Sequence, residues 1–129
     1  MGKKIKKLNI FNDERGDLIP FEFSKLTFIP KRIFTVSNVP KDSIRGGHSH
    51  FSTVQILVCI LGEIEVILHD GFVEEISKIK KGEYIVVDKL IWDSQKFLTD
   101  DSTLLVICST EYNIDDYILD FNEFLNGIK

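Results

Sequence analysis

The sequence predicts an all-β fold, a small jelly-roll β-barrel with one short C-terminal helix. Short segments rich in Ile, Val, Leu and Phe recur at roughly 8–12-residue spacing along most of the chain, which is typical of a sandwich or barrel. The dipeptide Asp70-Gly71 separates two of these segments and indicates a tight hairpin, because glycine accepts positive φ. Helical spacing of apolar residues appears only after Asn113.

Each predicted strand is a run in which β-branched and large apolar residues predominate. The runs cover residues 6–11, 18–23, 32–36, 55–61, 63–69, 72–79, 83–87 and 103–109. The predicted helix follows Asn113, with Asp115 and Asp116 in its first turn, where the helix dipole favours anions. Its apolar face would consist of Ile114, Tyr117, Ile118, Phe121 and Leu125.

Length and charge limit the classes of function. A chain of 129 residues, 43% of them hydrophobic, predicts a single domain over residues 1–129. The formal net charge of −4 gives no overall attraction for nucleic acid or an anionic membrane, and no apolar run is long enough to span a bilayer. The lysine-rich start does not resemble a signal peptide, and Cys59 and Cys108 lie singly in apolar runs, so buried free thiols and a cytoplasmic location are expected.

Two histidines, His48 and His50, stand in the string Arg-Gly-Gly-His-Ser-His over residues 45–50. In an extended backbone, residues i and i+2 point to one face, so the two imidazoles would lie side by side. Such a pair suits a metal or proton transfer; the alternative is a pair of surface histidines on a polar strand edge. His69 adjoins the Asp70-Gly71 turn and is expected at a solvated hairpin tip.

The spacing His48-x-His50, then Gln55 and Gly62, resembles the first motif of the cupins, which are small jelly-roll barrels. The cupins usually place a ligating Glu where Gln55 stands, and the ligating His of their second motif would fall at Asp93. A neutral amide is a poor substitute for a carboxylate on a divalent cation, so we predict no metal. A metal-dependent cupin enzyme remains an alternative.

A closer resemblance covers almost the whole chain from about Arg32 onward. The string over residues 45–50, Gln55, Ile91-Trp92 and the segment Asp116-Tyr117-Ile118 are similar to the cupin-type sugar 3,4-ketoisomerases, the WxcM-like family. The resemblance implies isomerisation of a dTDP-linked 4-keto-6-deoxyhexose to its 3-keto isomer through an enediol, without cofactor, for 3-amino-sugars of surface polysaccharides. It also implies that His48 and His50 are the catalytic acid/base pair and that the enzyme is a homodimer.

Four further residues are candidates for substrate binding. Arg45 would stabilise an oxyanion or bind a phosphate, unless it forms an ordinary loop ion pair. Gln55 would contact the sugar or orient a histidine, and Arg32 is a candidate for the diphosphate. Trp92 would form a hydrophobic wall, although a lone Trp after two apolar residues is more often core.

The sequence departs from the sugar ketoisomerase pattern at several positions. Thr35 and Ser37 stand in a region where relatives tend to carry tyrosines, so a phenol that assists proton transfer would be missing. Ser49 and Phe51 also differ from the usual residues beside the histidines. These departures keep a second function open, a non-catalytic cupin that binds a nucleotide sugar.

Overall fold

The computed structural model of the chain describes residues 5–128, so Lys3 and Lys4 of the lysine-rich start lie outside the described residues. Most of the described chain is β-structure. The elements in order are β1 (Lys6–Lys7), β2 (Phe11–Asp13), β3 (Gly16–Leu18), β4 (Arg32–Val36), β5 (Ile44–His50), β6 (Gln55–Leu61), β7 (Glu63–His69), β8 (Glu74–Lys80), β9 (Glu83–Val87), β10 (Trp92–Phe97), β11 (Thr103–Cys108), β12 (Tyr117–Ile118) and α1 (Phe121–Ile128). The described chain also has two 3₁₀ turns, Phe23–Lys25 and Ile114–Asp116.

Two five-stranded sheets face each other. The first sheet has the order β1-β9-β6-β11-β4 and the second β12-β5-β10-β7-β8, while β2 and β3 form a separate hairpin. The strand pairings are antiparallel. The prediction of an all-β fold with a short C-terminal helix is confirmed, although the sheets do not close into a continuous barrel.

The core lies between the two sheets, where apolar side chains of both sheets meet. On β7, for example, Ile64, Val66 and Leu68 are buried while their neighbours are only half-buried, which is the alternation of a strand with one face in the core. A second apolar cluster covers the outer face of the first sheet, so β6 is buried on both faces. The N-terminal segment covers this outer face with Leu8, Phe21, Leu26 and Phe28.

The predicted and observed elements differ at three places. Strands β5 and β10 were not predicted, and the predicted strands 6–11 and 18–23 are reduced to short pieces. The predicted helix was placed too early: Ile114–Asp116 form a 3₁₀ turn, and α1 begins only at Phe121. The reason is that Tyr117 and Ile118 pair with His50 and Ser49 of β5, which requires an extended backbone.

A β-bulge in β5 sets the orientation of the histidines. His48 is paired with Asp93 and Gly46 with Ser94, so Gly47 is an extra residue on β5. Gly46 and Gly47 have φ of 85° and 78°, a region that disfavours any residue with a Cβ. A Cβ on Gly46 would also lie 2.9 Å from Oε1 of Gln95 and 3.1 Å from the backbone oxygen of Asp93, so the close approach of β5 to β10 further favours glycine.

Candidate active site

His48 and His50 lie side by side at the end of β5, as the spacing predicted. Their ring centroids are 5.1 Å apart and the rings meet edge to face at 75°. His50 is only 4% exposed, and His48 is partly buried. Nδ1 of His48 and Nε2 of His50 are buried and have no hydrogen-bond partner among the described residues. Both imidazoles therefore keep a ring nitrogen available for a ligand.

A tyrosine that the sequence analysis assigned to a helix completes this group of rings. The ring of Tyr117 lies 4.4 Å from that of His50 and 5.2 Å from that of His48. Its position follows from β12, which pairs with β5 so that Tyr117 is opposite His50. The signal that could have identified it is its place in the Asp-Tyr-Ile segment of the family resemblance.

Arg32 connects this group to β4. Its Nη1 donates a hydrogen bond of 3.2 Å to the hydroxyl of Tyr117, and its guanidinium lies 4.5 Å from the ring centroid of Phe34 and 5.0 Å from that of Tyr112. Such cation–π contacts hold the charge beside the histidines. Thr35 is exposed, because the residues of β4 that alternate with it are the ones that face inward. The phenols at this site come from Tyr112 and Tyr117 instead.

A cavity of about 80 Å³ extends from His48 between the sheets. Gln55 is 3% exposed and donates a hydrogen bond of 3.4 Å to Sγ of Cys108. Asp93 is fully buried and accepts a hydrogen bond from Gln95, while its Oδ2 has no partner in the described structure. The polar lining residues are Arg45, His48, Gln55, Asp93 and Gln95. A larger groove of about 260 Å³ lies elsewhere, between the 25–27 segment and Tyr84, and no histidine lines it.

Trp92 is not brought to the histidines. Its ring packs against Phe121 at 5.2 Å and Phe124 at 5.6 Å, beneath α1. His69 belongs to the same aromatic cluster, 5.2 Å from Phe121, and its Nδ1 accepts a hydrogen bond from the backbone of Gly71. His69 thus lies at the β7–β8 hairpin turn as expected, but it is half-buried, because aromatic residues of α1 pack against this end of β7.

Burial sets the protonation of the site. It lowers the pKa of His50 to about 4, with further lowering from the nearby His48 and Arg32 and an opposing effect of the Asp116 carboxylate. Burial also lowers the pKa of His48. The same cause acts in the opposite direction on Asp93, whose pKa rises to about 7. At neutral pH both imidazoles are uncharged, which is the state that accepts a proton.

Within residues 5–128, no group of three or more His, Cys, Asp and Glu side chains is arranged to hold a metal ion. Over the same residues, no helix has the length and apolarity needed to cross a membrane.

The family model described as FdtA: WxcM-like, C-terminal, matches residues 1–129. The chain belongs to this family. A solved 3,4-ketoisomerase from Helicobacter canadensis superposes on this FdtA-family chain with a TM-score of 0.90 and 31% identity, covering 99% of this chain and 98% of the other. The predicted resemblance to the cupin-type sugar 3,4-ketoisomerase family is thus confirmed.

Two other relatives carry information on ligands. A curated TDP-4-oxo-6-deoxy-alpha-D-glucose-3,4-oxoisomerase from Aneurinibacillus thermoaerophilus is 29% identical over 126 residues, which cover 96% of this chain and 91% of that protein. The 3,4-ketoisomerase QdtA from Thermoanaerobacterium thermosaccharolyticum was solved as a His-to-Asn variant in complex with TDP-4-keto-6-deoxyglucose. It has a TM-score of 0.89 and 26% identity, with 98% of this chain and 93% of that chain covered.

Proposed function

We propose that this FdtA-family enzyme converts a dTDP-linked 4-keto-6-deoxyhexose into its 3-keto isomer, with His48 and His50 as the acid/base pair. The observation that carries the proposal is the pair of neutral, buried imidazoles, each with an unpartnered ring nitrogen, in a chain that aligns with ketoisomerases over its whole length. A base and an acid are what a keto shift between neighbouring carbons requires.

The proposed reaction conserves atoms and electrons within the sugar. The hydrogen on C3 is acidic because the C4 ketone is adjacent, and a neutral imidazole accepts this proton to leave an enediolate. The proton of the C3 hydroxyl then passes to the oxygen on C4, and carbon C4 receives a proton in place of the one taken from C3, which gives the 3-ketone with a hydroxyl on C4. The lowered pKa values of His48 and His50 keep the proton-accepting form populated at neutral pH.

The remaining polar groups suit a negatively charged substrate. Arg32 and Arg45 supply cationic charge at the histidines and at the cavity, where an enediolate or a diphosphate would need it. Gln55 offers an amide for a sugar hydroxyl or for the orientation of His48. Trp92 has no part in the proposal, because it packs beneath α1.

We further propose that the reaction needs no cofactor, that the enzyme acts as a cytoplasmic homodimer, and that its product supplies deoxy-amino-sugars for surface polysaccharides such as O-antigen. The ligand chemistry supports the first point, because Gln55 and Asp93 stand where metal-binding cupins carry Glu and His. The two buried cysteines, Cys59 and Cys108, suit a reducing compartment.

The test is incubation of the purified protein with dTDP-4-keto-6-deoxyglucose, followed by NMR of the sugar ring. We expect the 3-ketone to appear with loss of the hydrogen on C3 to deuterated solvent. Saturable binding of the nucleotide sugar without any 3-ketone would contradict the proposal and support the non-catalytic binding function. A changed configuration with the ketone still at C4 would indicate an epimerase.

A further inference from the structure

We infer that Asp116 is a positioning residue of the active site, which holds Tyr117 against His50 and presents a negative charge to His50. This inference rests on the proposed acid/base role of His50. Asp116 lies in the 3₁₀ turn immediately before Tyr117. Asp116 is not one of the three ring residues His48, His50 and Tyr117, so it acts through its neighbours.

The carboxylate of Asp116 is bound to the loop that follows His50. It accepts hydrogen bonds from the backbone N–H groups of Ser52 (3.0 Å) and Thr53 (3.2 Å) and from both of their hydroxyls, Oγ at 2.6 Å and Oγ1 at 2.5 Å. The backbone oxygen of Asp116 accepts a further bond of 3.0 Å from the N–H of Phe51. Charge-assisted bonds of this kind are stronger than neutral ones.

Strand β12 depends on this network because its own pairing with β5 is only two residues long. Only Tyr117 and Ile118 pair with β5, and a ladder of two residues is too short to fix a strand by itself. The Asp116 network connects the residue before β12 to the residues after β5. It therefore fixes the 4.4 Å separation between the rings of Tyr117 and His50.

The charge of Asp116 has its own effect on His50. The charged and titratable groups that act on His50 are His48 from β5, Arg32 from β4 and Asp116 from the 3₁₀ turn, and the Tyr117 ring packs on it from β12. His48 and Arg32 lower the pKa of His50, whereas Asp116 raises it. Removal of the carboxylate charge should therefore lower this pKa further.

The first test compares Asp116→Asn with Asp115→Asn, its exposed neighbour in the same 3₁₀ turn. Asparagine at 116 removes the charge and places an N–H₂ group against one of two backbone donors. We expect kcat to fall roughly 10–100-fold with KM changed less than about threefold, because the substrate still binds to a misplaced acid/base pair. NMR titration should show a lower pKa for His50 than in the wild-type enzyme, and Asp115→Asn should change neither quantity.

A second variant, Thr53→Val, retains the Asp116 charge but removes one hydroxyl donor while keeping the side-chain shape. It should lower kcat several-fold and leave the pKa of His50 unchanged, which separates positioning from charge. It also keeps the test informative if Asp116→Asn does not fold.

Three results would overturn the inference. One is a kcat in both variants equal to that of Asp115→Asn. Another is a rise of the His50 pKa toward 6.5 in Asp116→Asn, since this would show that the site has merely opened to water. The third is a loss expressed in KM alone. Absence of isomerisation by the wild-type enzyme would instead contradict the proposed function, and the His50 titration would still decide the present inference.

Discussion

Asp93 lies directly opposite His48 across the ladder between β5 and β10, and both residues line the cavity between the sheets. Asp93 is fully buried, and its carboxyl accepts a hydrogen bond from the neutral amide of Gln95. Burial raises the pKa of this carboxyl to about 7, whereas burial lowers the pKa of both active-site histidines. The site thus keeps acids and bases alike in their neutral forms.

Asp93→Asn should stabilise the protein more at pH 8 than at pH 5. The folded state keeps the Asp93 proton up to about pH 7, and the unfolded state releases it near 3.8. The contribution of this protonated state to the free energy of unfolding is fully present below pH 3.8 and is lost as the pH rises through 7. Asparagine has the same shape and no charge to bury, so its advantage should grow by about 3 kcal/mol between the two pH values. Urea unfolding of the wild-type protein and of Asp93→Asn at both pH values measures this difference. An equal advantage of Asp93→Asn at pH 5 and pH 8 would exclude a neutral Asp93.

The acid limb of kcat/KM should lie below pH 6.5. Because burial lowers the pKa of His48 and takes that of His50 to about 4, the neutral base persists to lower pH than a free imidazole would. A pH–rate profile with NMR titration of the free enzyme measures both quantities. An acid limb at or above 6.5 would show that another group controls the reaction.

Replacement of either histidine should lower turnover while substrate binding is largely kept. Proton transfer stabilises only the transition state, so His48→Asn and His50→Asn should reduce kcat by roughly 10²–10⁴-fold without a matching rise in KM. The two losses should be unequal if one imidazole moves the proton and the other holds the oxygen. Exchange of the C3 hydrogen with deuterated solvent distinguishes these roles. Turnover near the wild-type level in both variants would remove the catalytic assignment.

Activity should survive exhaustive treatment with EDTA. The amide of Gln55 is a weak ligand for a divalent cation, and Asp93, with its raised pKa, holds a proton over much of the range in which a ligand must be ionised. Turnover before and after chelation is the measurement, with metal content of the protein determined in parallel. Loss of turnover that one added metal restores would favour a metal-dependent cupin enzyme.

The protein should behave as a homodimer at micromolar concentration. The family resemblance motivates this prediction, and the sequence of Ile5–Phe11 has the pattern of a strand able to pair with the sheet edge of a partner. In the structure β1 pairs instead with β9 of its own chain, Lys6 with Tyr84, so the strand occupies its own sheet edge. Light scattering that gives the monomer mass would refute the dimer.

Strands that carry an apolar pattern could be predicted from the sequence. The ranges 32–36, 55–61, 63–69 and 83–87 agree with β4, β6, β7 and β9, because apolar residues there form the core that also specifies the strand. The histidine pair was predicted for a related reason, since its two-residue spacing places both rings on one face of any extended segment.

Strands could not be predicted where polar residues face inward or where tertiary pairing determines the backbone conformation. β5 and β10 line the cavity with Arg45, Asp93 and Gln95, so they lack an apolar alternation. Tyr117 was missed because its spacing to Ile114 and Phe121 also fits a helix, and only the pairing with His50 selects a strand. The hydrogen bonds of Asp116 with Ser52 and Thr53 join residues far apart in the sequence. Local patterns therefore predict neither these bonds nor the strand β12 that they hold in place.

Because Gly47 is an extra residue on β5, the face of the sheet on which the two imidazoles lie depends on the pairing register between β5 and β10. Beyond the bulge, His48 is opposite Asp93, which faces the cavity. If Gly47 took a regular place in the ladder opposite Asp93, His48 would come opposite Trp92, whose ring lies beneath α1. The two imidazoles would then exchange sides with Ser49. Loss of the bulge with Gly47 retained would therefore turn both imidazoles away from the cavity without a change in any side chain.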